Sequence, residues 1–188
     1  MNKTLLFAVI AVFGFTVGQS QTSFGVKAGV NFATLSGDDV DGLDGQTTVN
    51  FGGVVNIGIT ESLSVQPELL YSRQGFENDD ITAFLDYITI PIMADFKVAE
   101  RLSIQGGPQF GININAIEKD NDSGNEVDFE NVESLDIGLG IGAQYRLPIG
   151  LFFQARYVAG LSNVFEEFEG ESIDAKNSVI SISVGWFF

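Results

Sequence analysis

Seven charged side chains stand where the pattern of the chain leaves little room for charge. Lys27, Glu68, Asp95, Lys97, Asp136, Arg146 and Arg156 alternate with Ile, Leu, Val and Phe, so each shares a face with small or amide-bearing residues. Four cations facing three carboxylates can line an ion-selective gate, or they can neutralise one another across a narrow, nearly dry interior, where Arg156 and Glu68, both near mid-height of upward strands, are expected to pair within a network that includes Asp136. Acid–base chemistry by a carboxylate pair, Glu68 with Asp95 or Asp136, would be confined to that same interior. The sequence holds no histidine and no cysteine. That removes the usual base for a serine nucleophile, all thiolate chemistry and most transition-metal sites. The composition argues against an enzyme and implies no cofactor.

All but two of the remaining acids, Glu61 and Glu100, are gathered into four segments. Asp38, Asp39, Asp41 and Asp44 form one; Glu77, Asp79, Asp80 and Asp86 another. Glu118, Asp120, Asp122, Glu126, Asp128, Glu130 and Glu133 make the third, and Glu166, Glu167, Glu169, Glu171 and Asp174 the fourth. Together they hold 20 of the 25 acids of a chain whose formal net charge is -16. Such a surface repels nucleic acid and anionic lipid headgroups. Asp120, Asp122 and Glu126 place oxygen ligands at spacings that suit a hard cation such as calcium, but without the spacing or the bidentate Glu of an EF-hand. A solvated, cation-screened loop is the simpler expectation, with no metal site.

The elements that must position these groups are strands. Period-two alternation between turn-rich segments predicts eight of them, at about 24–34, 48–60, 63–76, 86–98, 102–115, 134–147, 150–162 and 176–188. Each meets or slightly exceeds the roughly 9–11 residues that a tilted strand needs to cross a bilayer. No stretch beyond the N-terminus is long and apolar enough for a membrane helix. The fold class expected is all-β: an eight-stranded antiparallel up-and-down transmembrane β-barrel.

The two faces of each strand differ in kind. Leu135, Ile137, Leu139, Ile141, Ala143, Tyr145 and Leu147 oppose Asp136, Gly138, Gly140, Gly142, Gln144 and Arg146. In a soluble barrel the apolar face would turn inward around a greasy ligand and leave Gly, Gln, Asn and Ser to cover the outside. Small polar residues instead suit the inside of a narrow eight-strand barrel, with the apolar face against lipid. Thr60 to Ser62, Ala99 to Arg101 and Pro148 to Gly150 read as tight turns; 35–47, 76–85, 116–133 and 163–175 read as long loops. Outer-membrane barrels keep short turns in the periplasm, so the acidic segments are expected outside and both termini in the periplasm.

The ends of the chain agree with this. Met1-Asn2-Lys3, an apolar run from Thr4 to Gly18, and Gly18-Gln19-Ser20 read as a secretory signal peptide over 1–20, leaving 21–188 as the barrel domain. Without cysteine the mature N-terminus carries no lipoprotein lipid and no disulfide forms. The last strand alternates to the final residue, with Trp186 and Phe188 on its apolar face. An apolar strand with no polar tail would be an unprotected edge in a soluble domain.

Gly25-Val26-Lys27-Ala28-Gly29-Val30-Asn31-Phe32-Ala33, Gln66-Pro67-Glu68-Leu69-Leu70-Tyr71-Ser72 and Tyr87-Ile88-Thr89-Ile90-Pro91-Ile92 resemble the PorT-like family of small outer-membrane β-barrel domain proteins. The resemblance covers essentially the whole mature chain. It implies residence in the cell outer membrane and a terminal insertion signal, Trp186 and Phe188, presented to the barrel-insertion machinery. Members are mostly described as porin-like, and a founding member is linked to protein secretion.

Three functions are compatible with these observations. The barrel can serve as a structural anchor whose acidic loops meet an extracellular or envelope protein partner. It can be a narrow porin-like channel for ions or small solutes, or an accessory component of an envelope protein-export system. Its partners are outer-membrane lipid and the insertion machinery, not nucleic acid, and the barrel is expected as a monomer.

Overall fold

The computed structural model describes residues 22–38, 40, 42–129, 132–165 and 174–188. The expected leader, and Asp39, Asp41, Glu130, Glu166, Glu167, Glu169 and Glu171, lie outside the described residues. Among the described residues nine strands are formed: β1 (Thr22–Ser36), β2 (Asp44–Gly58), β3 (Leu63–Glu77), β4 (Ile81–Lys97), β5 (Leu102–Asp120), β6 (Glu126–Asp128), β7 (Leu135–Arg146), β8 (Leu151–Gly160) and β9 (Lys176–Phe187). β6 is a short spur on the far end of β5. The other eight are staves, each antiparallel to its neighbours, and β9 returns to β1 from Gly25 opposite Phe187 to Ser36 opposite Lys176. The sheet is thereby closed and leaves no stave with an open edge.

Alternation survives almost intact in the burial of the staves. β8 presents Phe152, Gln154, Arg156 and Val158 inward and Phe153 and Tyr157 outward. The exterior carries Phe24, Val26, Leu69, Ile92, Ile104, Leu139, Ile141, Ile182 and their like, each about half exposed. In water that surface would be an aggregation liability, since monomers in water rarely expose apolar patches beyond a few hundred Å². A hydrocarbon environment is the one in which it is stable.

The staves are longer at one end than the sequence pattern predicts. The segment 76–85, expected as a long loop, is mostly strand, because Ala83 and Leu85 keep alternating inward; only Asn78, Asp79 and Asp80 form the turn. Asn78 Oδ1 closes it by accepting from the backbone N–H of Asp80 (2.9 Å) and Ile81 (2.8 Å). β5 likewise runs on to Asp120 and pairs with β6, inside the expected loop 116–133. Near Asp86 the β4–β5 register slips by one residue, so Asp86 faces Asn115 and Tyr87 faces Asn113. That bulge turns Asn115 to the outside, where its side chain donates to Asp86.

Apolar clusters lie at both ends, but only the loop end is capped by one. At the loop end Leu35, Phe76, Ala83, Leu85, Tyr87, Val164 and Ala175 are buried together, with Leu43, Phe129, Val132 and Phe165 against them. Phe76, Phe129 and Phe165 meet edge to face at centroid separations of 6.2, 6.3 and 5.9 Å. Such pairs contribute about 0.5–1.5 kcal/mol each beyond their buried area. At the short-turn end Phe152 and Phe187 stack at 4.7 Å on one side only. Gly185 makes this stack fit: a Cβ there would lie 2.3 Å from Phe152 Cζ.

Candidate functional site: the filled lumen and its periplasmic vestibule

The interior is built from inward positions on different staves, so its chemistry depends on height. Residues two apart on a strand differ by roughly 6.6 Å, which fixes which charges can meet. Lys27 of β1, Glu68 of β3 and Arg156 of β8 converge at one level and are 4, 3 and 3% exposed. Arg156 forks onto the carboxylate, Nη1 donating to Oε2 (2.8 Å) and Nη2 to Oε1 (2.7 Å), while Lys27 Nζ donates to Oε2 at 2.7 Å. The surplus cation is spread over amides. Lys27 also donates to Gln154 Oε1 (2.6 Å), and Arg156 Nη2 to Gln105 Oε1 (3.0 Å).

These amides belong to a layer that the sequence reading did not assemble. Gln66, Gln105, Gln144 and Gln154 come from β3, β5, β7 and β8 and are all buried. Gln154 Nε2 donates to Gln105 Oε1 (2.9 Å), Gln66 Nε2 donates to Gln144 Oε1 (3.3 Å), and Gln66 Nε2 also bonds Glu68 Oε1 (2.8 Å). The only sequence signal was that each is an amide at an inward position. Their meeting depends on barrel closure and register.

The other expected members of the charge network make no ion pair with this trio. Asp95 accepts from Ser103 Oγ (2.9 Å) and Gln105 Nε2 (2.7 Å). Asp136 sits further toward the loop end, where Asn177 Nδ2 donates to it at 2.9 Å and to Tyr87 Oη at 3.3 Å. Arg146 is half-buried at the short-turn end, 4.3 Å over the Phe187 ring and donating to Ser23 Oγ at 3.3 Å. Lys97, expected inside, is exposed at the mouth, because it is the last residue of β4. The seven charges thus divide into levels, with Asp95 alone joined to the trio through Gln105 among the described residues.

The space left inside is unequal. Near Asn31, Ser72, Gln74, Thr89 and Arg156 a void of about 20 Å³ remains, room for little more than one water. Arg156 Nε and Gln74 Oε1 are buried without a protein partner beside it. Beyond the glutamine layer the short-turn end opens into a cavity of about 1010 Å³, with Asp95, Gln144 and Arg146 in its wall and Lys97 and Arg101 toward its rim.

Two further clusters lie outside the lumen. Arg73 and Asp86 are direct cross-strand partners on the outer face, with Nε to Oδ1 at 2.7 Å and Nη2 to Oδ2 at 3.0 Å. Tyr71 Oη (2.7 Å) and Asn115 Nδ2 (3.3 Å) donate to the same carboxylate. The cluster caps the apolar exterior below it, where interfacial tyrosines are favoured. The calcium candidates do not assemble. Asp120 Oδ1 instead accepts from the backbone N–H of Ser123 (2.6 Å) and Asp122 (3.1 Å), which holds its carboxyl below the ordinary range. Asp122 and Glu126 are exposed, and among the described residues no three acids gather to hold a metal. At the end of the chain Trp186 and Phe188 face outward, Phe188 81% exposed, with the Phe188 N–H donated to Phe24 O at 2.8 Å.

A closed antiparallel barrel with an apolar exterior and a hydrogen-bonded polar interior is a transmembrane β-barrel. The chain belongs to the outer membrane protein beta-barrel domain family, whose model matches residues 18–166. It therefore sits in the lipid of the cell outer membrane, where barrels as a class keep their short turns on the periplasmic side. No curated protein matches the chain. Among solved structures, Neisserial surface protein A is similar at 16% identity and a TM-score of 0.59, over 89% of this chain and 99% of that one. Ail, the attachment invasion locus protein of Yersinia pestis, is similar at 14% identity and a TM-score of 0.51, over 89% and 97%. Ail in complex with the heparin analogue sucrose octasulfate gives 16% identity and the same TM-score and coverage. These likenesses concern the fold.

Proposed function

We propose that the protein is a non-conducting, non-enzymatic outer-membrane anchor, a monomer of the PorT-like kind, that presents its acidic extracellular segments to a partner at the cell surface. The observation that carries this is the filling of the lumen. The ion-paired trio and the glutamine layer leave a void of about 20 Å³, and the apolar cap around Phe76, Phe129 and Phe165 covers the outer mouth. A conducting path would have to displace both a desolvated ion-pair cluster and a packed aromatic core.

The charge of the loops sets the kind of partner. Ail has been crystallised with a polyanion, sucrose octasulfate; the loops here carry most of the acids of a chain with net charge -16 and would repel such a ligand. A cationic protein surface, or one bridged by divalent cations, is the complementary match. Trp186 and Phe188 serve as the insertion signal, their exposure on the last strand supporting recognition before the β1–β9 seam closes.

Planar-bilayer recording of the purified, folded protein tests the central claim. The expected outcome is a membrane without discrete conductance steps in symmetric salt. Reproducible single-channel steps from protein of verified fold would overturn the anchor and restore the porin-like alternative.

A further inference from the structure

The cavity at the periplasmic end has no role in a surface-presenting anchor, yet its charges are not arranged at random. The described residues include eight lysines and arginines, of which four form the ion pairs Lys27 and Arg156 with Glu68, Arg73 with Asp86, and Lys176 with Asp174. Of the four that make no ion pair among the described residues, Lys97, Arg101 and Arg146 all line this one cavity. In a chain with 25 acids and 9 bases, a concavity lined by as many cations as acids is an exception to the overall field. They lie on neighbouring staves, since Arg146 N–H donates to Arg101 O at 2.9 Å and Lys97 pairs with Ser103 two residues along β5.

Arg146 is the pre-organised member. Its guanidinium carbon lies 4.3 Å from the centre of the Phe187 ring and Nη2 donates to Ser23 Oγ, which anchors the fork while leaving Nε and Nη1 without an acceptor among the described residues. Three acids share the wall with these three cations, but none forms an ion pair with Arg146. Asp95 already accepts from Ser103 and Gln105, and Glu61 and Glu100 stand exposed at the tips of the turns. A planar fork with two free donors, flanked by two further cations in a polar cavity of about 1010 Å³, is the arrangement that recognises an oxyanion.

We propose that the vestibule is a periplasm-facing binding site for an oxyanion, a carboxylate or phosphate group borne by a periplasmic solute or chain end, with Arg146 as its anchor and Arg101 and Lys97 as flanking charges. The apolar cap prevents access from outside, so the ligand enters only from the periplasm. This goes beyond the surface role of the loops and stands whether or not that role is correct.

The test is titration calorimetry on the full barrel in zwitterionic nanodiscs, with three probes: inorganic phosphate, trialanine, and trialanine amide. Saturable binding of phosphate or of free trialanine is expected, at least about tenfold weaker in Arg146→Gln, the loss of one charge-assisted fork. Lys119→Gln, which removes the same charge from an exposed outer position, should bind as the parent does. Phosphate alone would identify a phosphorylated solute as the source, and free trialanine without its amide a chain-end carboxylate. Heat-modifiable mobility on gels verifies that each variant is folded. If no probe binds saturably, or if binding by folded Arg146→Gln equals the parent's, the vestibule is only a solvated mouth and the proposal fails.

Discussion

At the scale of residues, Glu68 is the side chain on which the interior depends. It takes three charge-assisted hydrogen bonds from two cations, so removing it strands both Lys27 and Arg156 in a buried site, whereas removing Arg156 leaves Lys27 and Glu68 still paired. Glu68→Ala should cost about 3–5 kcal/mol, the range for breaking a buried pair, and Arg156→Ala less. The double substitution should be less damaging than the sum of the two, but the rescue is incomplete because Lys27 remains unpaired. Urea unfolding in vesicles, followed by Trp186 fluorescence, would check this; equal and additive losses would mean that the trio does not act as a unit. That charges would meet inside was legible from their inward alternation. The Glu68–Arg156 pair was legible too, from their mid-height positions on upward strands; that Lys27 joins it and Asp136 does not was illegible, because contact across the lumen depends on closure and tilt. Arg73 and Asp86 were missed for the same reason, since only the register makes them partners.

At the scale of elements, the staves follow from period two, and the errors are confined to where a second influence enters. Ala83 and Leu85 were read as loop because acids crowd the neighbouring positions, yet both are drawn into the apolar cap and carry β4 outward. The bulge before Tyr87 left no signal, since Asn113 and Asn115 are equally polar. The last strand was legible throughout, and its prediction is direct. Deleting Trp186 to Phe188 removes the end of the β1–β9 ladder, where Gly25 faces Phe187 and Val26 faces Trp186. Cell fractionation should then find the protein degraded or aggregated in the periplasm; heat-modifiable protein at parental levels in the outer membrane would dismiss the terminal residues as an insertion signal.

At the scale of the whole molecule, charge and apolar surface define a direction. One end carries tight turns and unpaired cations; the other carries the acidic segments over an aromatic core. An epitope placed at Ser123, in the exposed turn beyond β5, should therefore be labelled on intact cells. Labelling only after the outer membrane is permeabilised would reverse the orientation. The directionality was readable from loop lengths and acid counts. The aromatic core was not, because Leu35, Phe76, Phe129 and Phe165 come from four separate segments, none periodic enough to announce a buried face.

That aromatic core also constrains how such a surface can diversify under selection. Exposed acids such as Asp79, Asp122 and Glu126 touch little and are free to drift, so an antibody that depends on them is easily escaped. Phe76, Phe129 and Phe165 form a mutually dependent trio, and altering one leaves the other two without an edge to pack on. Variation is channelled into the polar fringe while the underlying relief is preserved, so an antibody to the shape of the cap would outlast one to its charge.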